Sequence, residues 1–177
     1  MLGTDALQER LRDIKMVVLD VDGVMTAGEI VLGATDEYKA FNALDGHGIR
    51  LLARHGVRVA VITGRLSKAV RRRAAELGIE DLFEEAKEKA PCFRALLARH
   101  GLTPKEALYI GDDLPDLPVM RMAGVGVAVC DGHEEVVARA DYVTAKPGGK
   151  GAVREVGDMI LKAQGKWQEA MKRYLGE

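Results

Sequence analysis

Short apolar runs alternate with amphipathic segments along this chain, and that alternation limits the folds it can adopt. The runs show no apolar/polar alternation, which is typical of parallel strands covered on both faces of a sheet. The segments between them have apolar residues at helical spacing, and several end at a glycine, which favours helix C-termini. The predicted strands are 16–20, 58–63, 81–85, 107–112, 124–129 and 141–144.

Strands that alternate with helices predict the α/β class, with a doubly wound, mostly parallel, Rossmann-like sheet. The chain has 177 residues, of which 47% are apolar. That is enough for one substantial core, so we predict a single domain over residues 1–177. The predicted helices are 45–56, 67–79, 90–101, 114–124 and 152–175, the last with a break near Gly165.

The segment 26–43 interrupts this alternation. It contains two short β-prone runs, around 29–32 and 37–41, with the turn-like sequence Gly-Ala-Thr-Asp between them. We predict a β-hairpin that projects from the carboxyl edge of the sheet, with no cap domain. The C-terminal tail, 146–177, begins with a glycine-rich strip, which we interpret as flexible and able to close over a ligand.

Composition excludes some classes of function. The net charge is −1, so we expect no nucleic-acid partner. Cys92 and Cys130 are isolated in the sequence, which argues against a disulfide framework or a zinc site. The charged N-terminal segment, 1–15, does not resemble a secretory signal, and no apolar run is long enough to span a bilayer. We therefore expect a cytoplasmic protein with no membrane partner.

Polar side chains follow three of the predicted strands. Asp20 and Asp22 end the first strand, Thr63 ends the second, and Asp112 and Asp113 end the strand at 107–112. Because parallel strands end at the same edge of a sheet, where open α/β sheets bind ligands, these side chains should lie close together.

A cluster of carboxylates repels itself unless a cation lies within it. Hard oxygen ligands without a nearby His or Cys favour Mg²⁺, which takes one or two carboxylates and a phosphate oxygen. One carboxylate is then free to act as a nucleophile toward phosphorus. Lys89 can reach the same edge of the sheet, and together with the Thr63 hydroxyl it could neutralise the phosphoryl oxygens. The sequence therefore predicts Mg²⁺-dependent phosphoryl transfer.

The same residues form four motifs that resemble those of the haloacid dehalogenase (HAD) superfamily of phosphatases. The resemblance covers roughly residues 15–130, and the motifs occur in the order of that superfamily. They are D-x-D-G-V-x-T at 20–26, T-G-R at 63–65, the lone Lys89 and G-D-D-x-x-D at 111–116.

The resemblance implies a role for each matched residue. Asp20 is the nucleophile that forms an aspartyl-phosphate. Asp22 is the general acid for the leaving group and then the base for water, and its backbone carbonyl binds Mg²⁺. Thr63, Gly64 and Lys89 hold the phosphoryl group.

The last motif supplies the remaining carboxylates. By the same resemblance, Asp112 is the main carboxylate partner of Mg²⁺ besides Asp20. Asp113 and Asp116 support the metal shell or orient Lys89.

A narrower resemblance covers roughly residues 14–165. The stretches "KAFNALDGHGIR", "YIGDDLPDLPVM" and "GGKGAVREV" are similar to those of the 3-deoxy-D-manno-octulosonate 8-phosphate (KDO 8-phosphate) phosphatases. This resemblance implies a sugar-phosphate substrate in lipopolysaccharide precursor synthesis. It also implies a homotetramer, with the hairpins at its centre and a neighbour's tail covering each site.

The identity of the acid sugar stays open, because a sister group acts on nine-carbon sialic-acid-type sugar 9-phosphates. Lys150 stands where that family often has Arg, so it offers a cation to the sugar carboxylate without a bidentate fork. Arg65 and His47 are further candidate substrate contacts. For Arg65 a role in holding its loop, and for His47 an ordinary place in the helix, are alternatives.

Three other functions are compatible with parts of the pattern. A receiver domain also combines an acidic cluster with Mg²⁺, Thr and Lys, but its phosphorylated Asp lies on a later strand. A non-catalytic tetrameric scaffold would not need Asp22 and Lys89 beside Asp20 and Asp112. A phosphatase for a nucleotide or a simple sugar phosphate is the remaining alternative.

Overall fold

The computed structural model describes residues 1–176, which are built around a sheet of six parallel strands. The strands in that sheet are ordered β5-β4-β1-β6-β7-β8, and a separate two-stranded hairpin consists of β2 and β3. The strands are β1 (Met16–Leu19), β2 (Val31–Leu32), β3 (Glu37–Tyr38), β4 (Arg58–Ile62), β5 (Asp81–Phe83), β6 (Ala107–Gly111), β7 (Val125–Ala128) and β8 (Tyr142–Val143).

The predicted α/β class and parallel sheet are confirmed. The winding of the chain reverses at β1, which lies between β4 and β6. Ligands bind at such a switch point in open α/β sheets, beyond the carboxyl ends of the strands. The loop that follows β1 carries Asp20 and Asp22 to this position.

Eight α-helices accompany the strands within residues 1–176, and none of them is long and apolar enough to cross a bilayer. The break predicted near Gly165 is present between the last two helices. The helices are α1 (Thr4–Arg12), α2 (Ala43–Arg54), α3 (Lys68–Leu77), α4 (Lys89–His100), α5 (Leu117–Met120), α6 (Glu134–Val137), α7 (Ala152–Ala163) and α8 (Trp167–Leu175).

One predicted helix differs from the structure, and two helices, α1 and α6, were not predicted. The segment 114–124 is a 3₁₀ turn followed by the four-residue α5, because Pro115 and Pro118 lack the backbone donors that a continuous helix requires. Helix α1 was not predicted, and it forms because Leu7 and Leu11 are buried in the core on one face of the sheet.

The core has two layers, one on each face of the sheet. Val17 and Leu19 of β1 pack in the layer that includes residues of α1, α2, α3 and α7. Met16 and Val18 pack in the layer that includes residues of α4 and α5. Since side chains alternate along a strand, each buried strand needs apolar residues at every position, which explains the continuous apolar runs.

A carboxylate of α2 holds the start of α7. Asp45 is buried, and its side-chain oxygens accept hydrogen bonds from the backbone N–H groups of Gly151 (3.1 Å) and Arg154 (2.9 Å). A helix N-terminus leaves such donors unpaired unless a side chain accepts from them. Burial raises the pKa of Asp45, although these hydrogen bonds oppose the rise. The "LDGHG" stretch thus has a structural role that was not predicted.

We expect Asp45→Ala to lower the free energy of unfolding by about 1–3 kcal/mol, because two backbone donors lose their buried acceptor. Urea unfolding followed by circular dichroism measures this change. Asp45→Asn retains one acceptor oxygen and should lose less, and Asp5→Ala, at an exposed position of α1, is the control. Equal stability of Asp45→Ala and the wild-type protein would contradict this role.

Candidate active site

A buried lysine joins two motifs at the carboxyl edge of the sheet. Lys89 is the first residue of α4, and its Nζ lies 2.7 Å from Asp20 Oδ1 and 2.7 Å from Asp116 Oδ1. Its side chain is only 6% exposed. Burial alone would lower the pKa of Lys89, but the two carboxylates outweigh this effect and raise it. Lys89 is therefore a fixed positive charge beside Asp20.

Asp116 is hydrogen-bonded on both oxygens. Its Oδ1 accepts from the Tyr109 hydroxyl (2.6 Å) as well as from Lys89, and its Oδ2 accepts from the backbone N–H groups of Asp112 (3.0 Å) and Asp113 (3.2 Å). Asp116 thus orients both Lys89 and the loop after β6. Sequence reasoning missed Tyr109, whose only signal was a hydroxyl within the otherwise apolar run of β6.

Three carboxylates form the acidic centre of the site. One oxygen from each of Asp20, Asp112 and Asp116 lies within 4.8 Å of the others. Gly23 makes room for Asp112: its φ is +94°, and a Cβ there would overlap the Asp112 carboxylate. Asp112 Oδ1 is buried and has no hydrogen-bond partner among residues 1–176. This unpaired oxygen distinguishes Asp112 from the fully bonded Asp116.

Electrostatics also favour a cation in the acidic centre. Burial, together with the charges of Asp20 and Asp116, raises the pKa of Asp112 to about 8. Burial and the charge of Asp116 raise the pKa of Asp20 to about 6, and Lys89 opposes that rise. Hard oxygen ligands that repel one another suit a divalent cation such as Mg²⁺. The unpaired oxygen of Asp112 and the adjacent Asp20 therefore fit a metal site.

The side chain of Asp22 has different partners from that of Asp20. Its carboxylate pairs with Lys39 from the hairpin and lies 3.8 Å from Nε of Arg65. Asp113 is also outside the acidic centre, because it is exposed and caps the 3₁₀ turn through Leu114 N–H (2.8 Å). The carboxylates of the two motifs thus divide into those of the acidic centre and those outside it.

The T-G-R motif lies beside β1, at the end of β4. Thr63 is buried, and its hydroxyl oxygen accepts from the backbone N–H of Arg65 at 3.4 Å. Gly64 is exposed at the turn. The Arg65 side chain extends toward Asp22 and donates to Glu37 of β3 at 2.9 Å. The motif therefore contacts the hairpin as well as the site.

Within residues 1–176, two of the candidate substrate residues, His47 and Lys150, have no hydrogen bond or ion pair with the acidic centre. His47 lies between α7 and α8, where its Nε2 is 2.7 Å from the Tyr174 hydroxyl and its Nδ1 is 3.1 Å from Arg154 Nη1. Lys150 is exposed in a turn, where its backbone N–H donates to Pro147 O at 3.1 Å. Substrate contacts by either residue stay predictions, and for His47 the intrachain partners support the alternative of a structural place.

The glycine-rich strip of the tail is packed closely against its own chain, which corrects its interpretation as a flexible strip. Gly149 N–H donates to Val24 O (2.8 Å), and Gly148 N–H donates to Asp131 Oδ1 (2.9 Å). A Cβ at either glycine would overlap the backbone of the loop after β1. These glycines therefore allow two backbone segments to approach each other beside the site.

Comparison with known proteins identifies the class to which this fold and site belong. Residues 30–124 match the family model of the haloacid dehalogenase-like hydrolases. The chain therefore belongs to the haloacid dehalogenase-like hydrolases.

Comparison with individual proteins shows which kind of hydrolase this chain resembles. The chain is 47% identical over 162 residues to 3-deoxy-D-manno-octulosonate 8-phosphate phosphatase KdsC of Escherichia coli strain K12, covering 91% of this chain and 86% of that protein. This match confirms the prediction of a phosphatase, a phosphoric monoester hydrolase.

Solved structures of similar proteins agree with the hydrolase family and with the phosphatase class. A 1.95 Å crystal structure of the Yersinia pestis 3-deoxy-D-manno-octulosonate 8-phosphate phosphatase has a TM-score of 0.91, 45% identity, and coverage of 93% of this chain and 89% of that chain. The Moraxella catarrhalis phosphatase of the same name, in complex with a magnesium ion, a phosphate ion and KDO, has a TM-score of 0.95. It is 39% identical and covers 97% of this chain and 99% of that chain.

Proposed function

We propose that this protein hydrolyses KDO 8-phosphate to KDO and phosphate in a reaction that requires Mg²⁺. The observation that carries the proposal is the acidic centre with Lys89 bound to Asp20 and Asp116. It lies in a chain that is 47% identical to a KDO 8-phosphate phosphatase. A relative of 39% identity holds magnesium, phosphate and KDO, which supports both the metal and the sugar.

In the first half of the proposed reaction, a carboxylate oxygen of Asp20 attacks phosphorus. The bond between phosphorus and the sugar oxygen breaks, and Asp22 gives a proton to the leaving alkoxide. In the second half, Asp22 takes a proton from water, and that water attacks the aspartyl-phosphate. The bond from phosphorus to Asp20 breaks, which releases phosphate and restores both carboxyl groups.

The surrounding residues hold the phosphoryl group in line with Asp20. Lys89 is fixed by two carboxylates, so its charge needs no reorganisation when negative charge develops on the phosphoryl oxygens. Thr63 and Gly64 offer a hydroxyl and a backbone N–H at the adjacent strand end. Mg²⁺, held by Asp20, Asp112 and the backbone carbonyl of Asp22, would neutralise phosphoryl charge. Asp113 and Asp116 support this arrangement.

The proposal includes a homotetramer that forms around the hairpins. Ile30, Val31, Leu32 and Tyr38 of the hairpin are 50–78% exposed, which is unusual for four large apolar side chains in one short element. A neighbouring subunit would cover this apolar surface and bring the part of its tail beyond the glycine-rich strip to the site. Lys150 and Arg65 of the chain that holds the site are candidate partners for the sugar carboxylate.

A phosphate-release assay on a panel of substrates tests the proposal. We expect KDO 8-phosphate to exceed glucose 6-phosphate in kcat/KM by about 10²-fold or more, because sugar recognition adds to phosphate binding. EDTA should reduce turnover to background, and added Mg²⁺ should restore it. A higher kcat/KM for a nine-carbon sialic-acid-type sugar 9-phosphate would make that compound the proposed substrate in place of KDO 8-phosphate. Full activity in EDTA would refute the metal requirement.

A further inference from the structure

Four side chains of alternating charge form a closed ring between the hairpin and the site. Lys39 Nζ pairs with Asp22 Oδ1 and lies 3.6 Å from Glu37 Oε1. Glu37 Oε2 accepts from Arg65 Nη2 at 2.9 Å, and Arg65 Nε lies 3.8 Å from Asp22 Oδ2. The ring therefore joins the D-x-D motif, the T-G-R motif and β3.

Lys39 is far less exposed than an ordinary surface lysine. The Lys39 side chain is 1% exposed, and those of Glu37 and Asp22 are 13% and 22% exposed. A lysine is almost never buried to this degree unless it is paired. Its two carboxylate neighbours therefore hold its ammonium group in one place.

Glu37 of β3 and Lys39, which directly follows β3, both extend into the ring beside the site. Glu37 and Lys39 are two positions apart, so they point to the same side of an extended chain, and Tyr38 between them points to the other side. Tyr38 is 66% exposed, in contrast to the buried Lys39. One side of this segment thus carries the charges that meet Asp22, and the other carries an exposed aromatic ring.

A carboxylate that transfers protons needs a defined position relative to the leaving oxygen, because small displacements cost large factors in rate. Asp22 lies in the loop after β1, and Lys39 restricts its side-chain rotation through Oδ1 while Arg65 lies near Oδ2. In this structure, no other residue within the 1–176 range forms an ion pair with Asp22.

We propose that Lys39 is a positioning residue of the phosphatase reaction. It holds the Asp22 side chain in the orientation from which the protonated carboxyl group gives its proton to the leaving alkoxide, and from which the resulting carboxylate later takes a proton from water. Glu37 holds Lys39 in turn, and Arg65 closes the ring. This inference rests on the proposed function, in which Asp22 is the general acid. It gives the hairpin a part in catalysis within its own chain, separate from any role in assembly.

The test compares two substrates with different leaving groups. A sugar alkoxide departs only with a proton, whereas p-nitrophenolate departs readily without one. The value of kcat/KM reports the steps up to departure of the leaving group, so it excludes the later hydrolysis of the aspartyl-phosphate. We expect Lys39→Met to lower kcat/KM for KDO 8-phosphate by about 10²-fold, and for p-nitrophenyl phosphate by less than about 5-fold.

Matched variants separate positioning from support of the fold. Lys39→Arg keeps a positive donor and should recover most of the lost activity. Lys68→Met is the control, since Lys68 also ties the hairpin to the core through Asp36 (2.9 Å) but is 80% exposed and does not contact Asp22. Circular dichroism and the melting temperature show whether each variant folds. If Lys39→Met does not fold, Lys39→Gln replaces it, with the same unequal loss expected.

The possible outcomes distinguish a failure of the Lys39 inference from a failure of the proposed function. Equal losses for both substrates would show that Lys39 only supports the structure, and unchanged values for both would show that Asp22 does not need it. Either result overturns the inference. A wild-type protein inactive on KDO 8-phosphate would contradict the proposed function instead, and the ratio is then measured with an alkyl phosphate that the wild-type protein does hydrolyse.

Discussion

The Asp20→Asn variant is expected to lose nearly all phosphatase activity, with kcat reduced by about 10⁴-fold or more. An amide oxygen is a poor nucleophile toward phosphorus, so no covalent intermediate can form at a useful rate. The substitution preserves the size of the side chain, and Asn can still accept from Lys89, which lies 2.7 Å from Asp20 Oδ1. Phosphate release from KDO 8-phosphate measures the loss.

The fold of this variant should persist. Asp20 is buried beside two other carboxylates, and burial raises its pKa to about 6, so its charge is unfavourable without a cation. Removing that charge relieves repulsion, and the melting temperature should stay close to that of the wild-type protein or rise. Asp5→Asn, at an exposed position of α1, is the control for the chemistry of the substitution. Activity within about 10-fold of wild type in Asp20→Asn would mean that another group is the nucleophile.

Lys89→Met should lower both activity and stability. Its loss removes the fixed charge that balances Asp20 and Asp116, which leaves buried carboxylates without a partner. We expect kcat/KM to fall by about 10³-fold and the free energy of unfolding to fall by about 3–5 kcal/mol at pH 8. Urea unfolding in EDTA measures the second effect. Lys15→Met is the matched control, because Lys15 pairs with Glu106 at 2.6 Å but is 63% exposed, and exposed pairs stabilise little.

The stability lost in Lys89→Met should depend on pH. Asp20 and Asp112 have pKa values of about 6 and about 8 in the folded protein, above those of an unfolded carboxyl group. The folded state therefore binds more protons than the unfolded state in this range, and stability falls as pH rises. Without Lys89 both pKa values rise further, so the deficit should be larger at pH 8 than at pH 5.5.

Added Mg²⁺ should restore part of that stability at pH 8, because a divalent cation replaces the missing positive charge. The same measurement on Lys15→Met should show little difference from the wild-type protein at either pH. A deficit in Lys89→Met that is the same at pH 5.5 and pH 8, with and without Mg²⁺, would mean that Lys89 acts through packing rather than charge.

Local patterns in the sequence determined the class of fold and much of the candidate site. Continuous apolar runs specify strands that are buried on both faces, and parallel strands end at one edge of a sheet. The meeting of Asp20, Asp112 and Lys89 at that edge followed from their positions at strand and helix ends. Helix α1 was not predicted because its sequence is mostly charged and polar, and only two apolar residues, Leu7 and Leu11, are buried by it.

Contacts between distant side chains were decided only by the tertiary structure. Nothing in the sequence distinguished Lys39 from other residues of the hairpin segment, and only the tertiary structure shows that it pairs with Asp22. In the same way, Tyr109 belongs to an apolar strand, and only the fold shows that its hydroxyl donates to Asp116. The partners of Asp45 lie 106 and 109 residues further along the chain. Periodicity reports which face a residue occupies, but the partner of a buried polar group depends on which elements pack against that face.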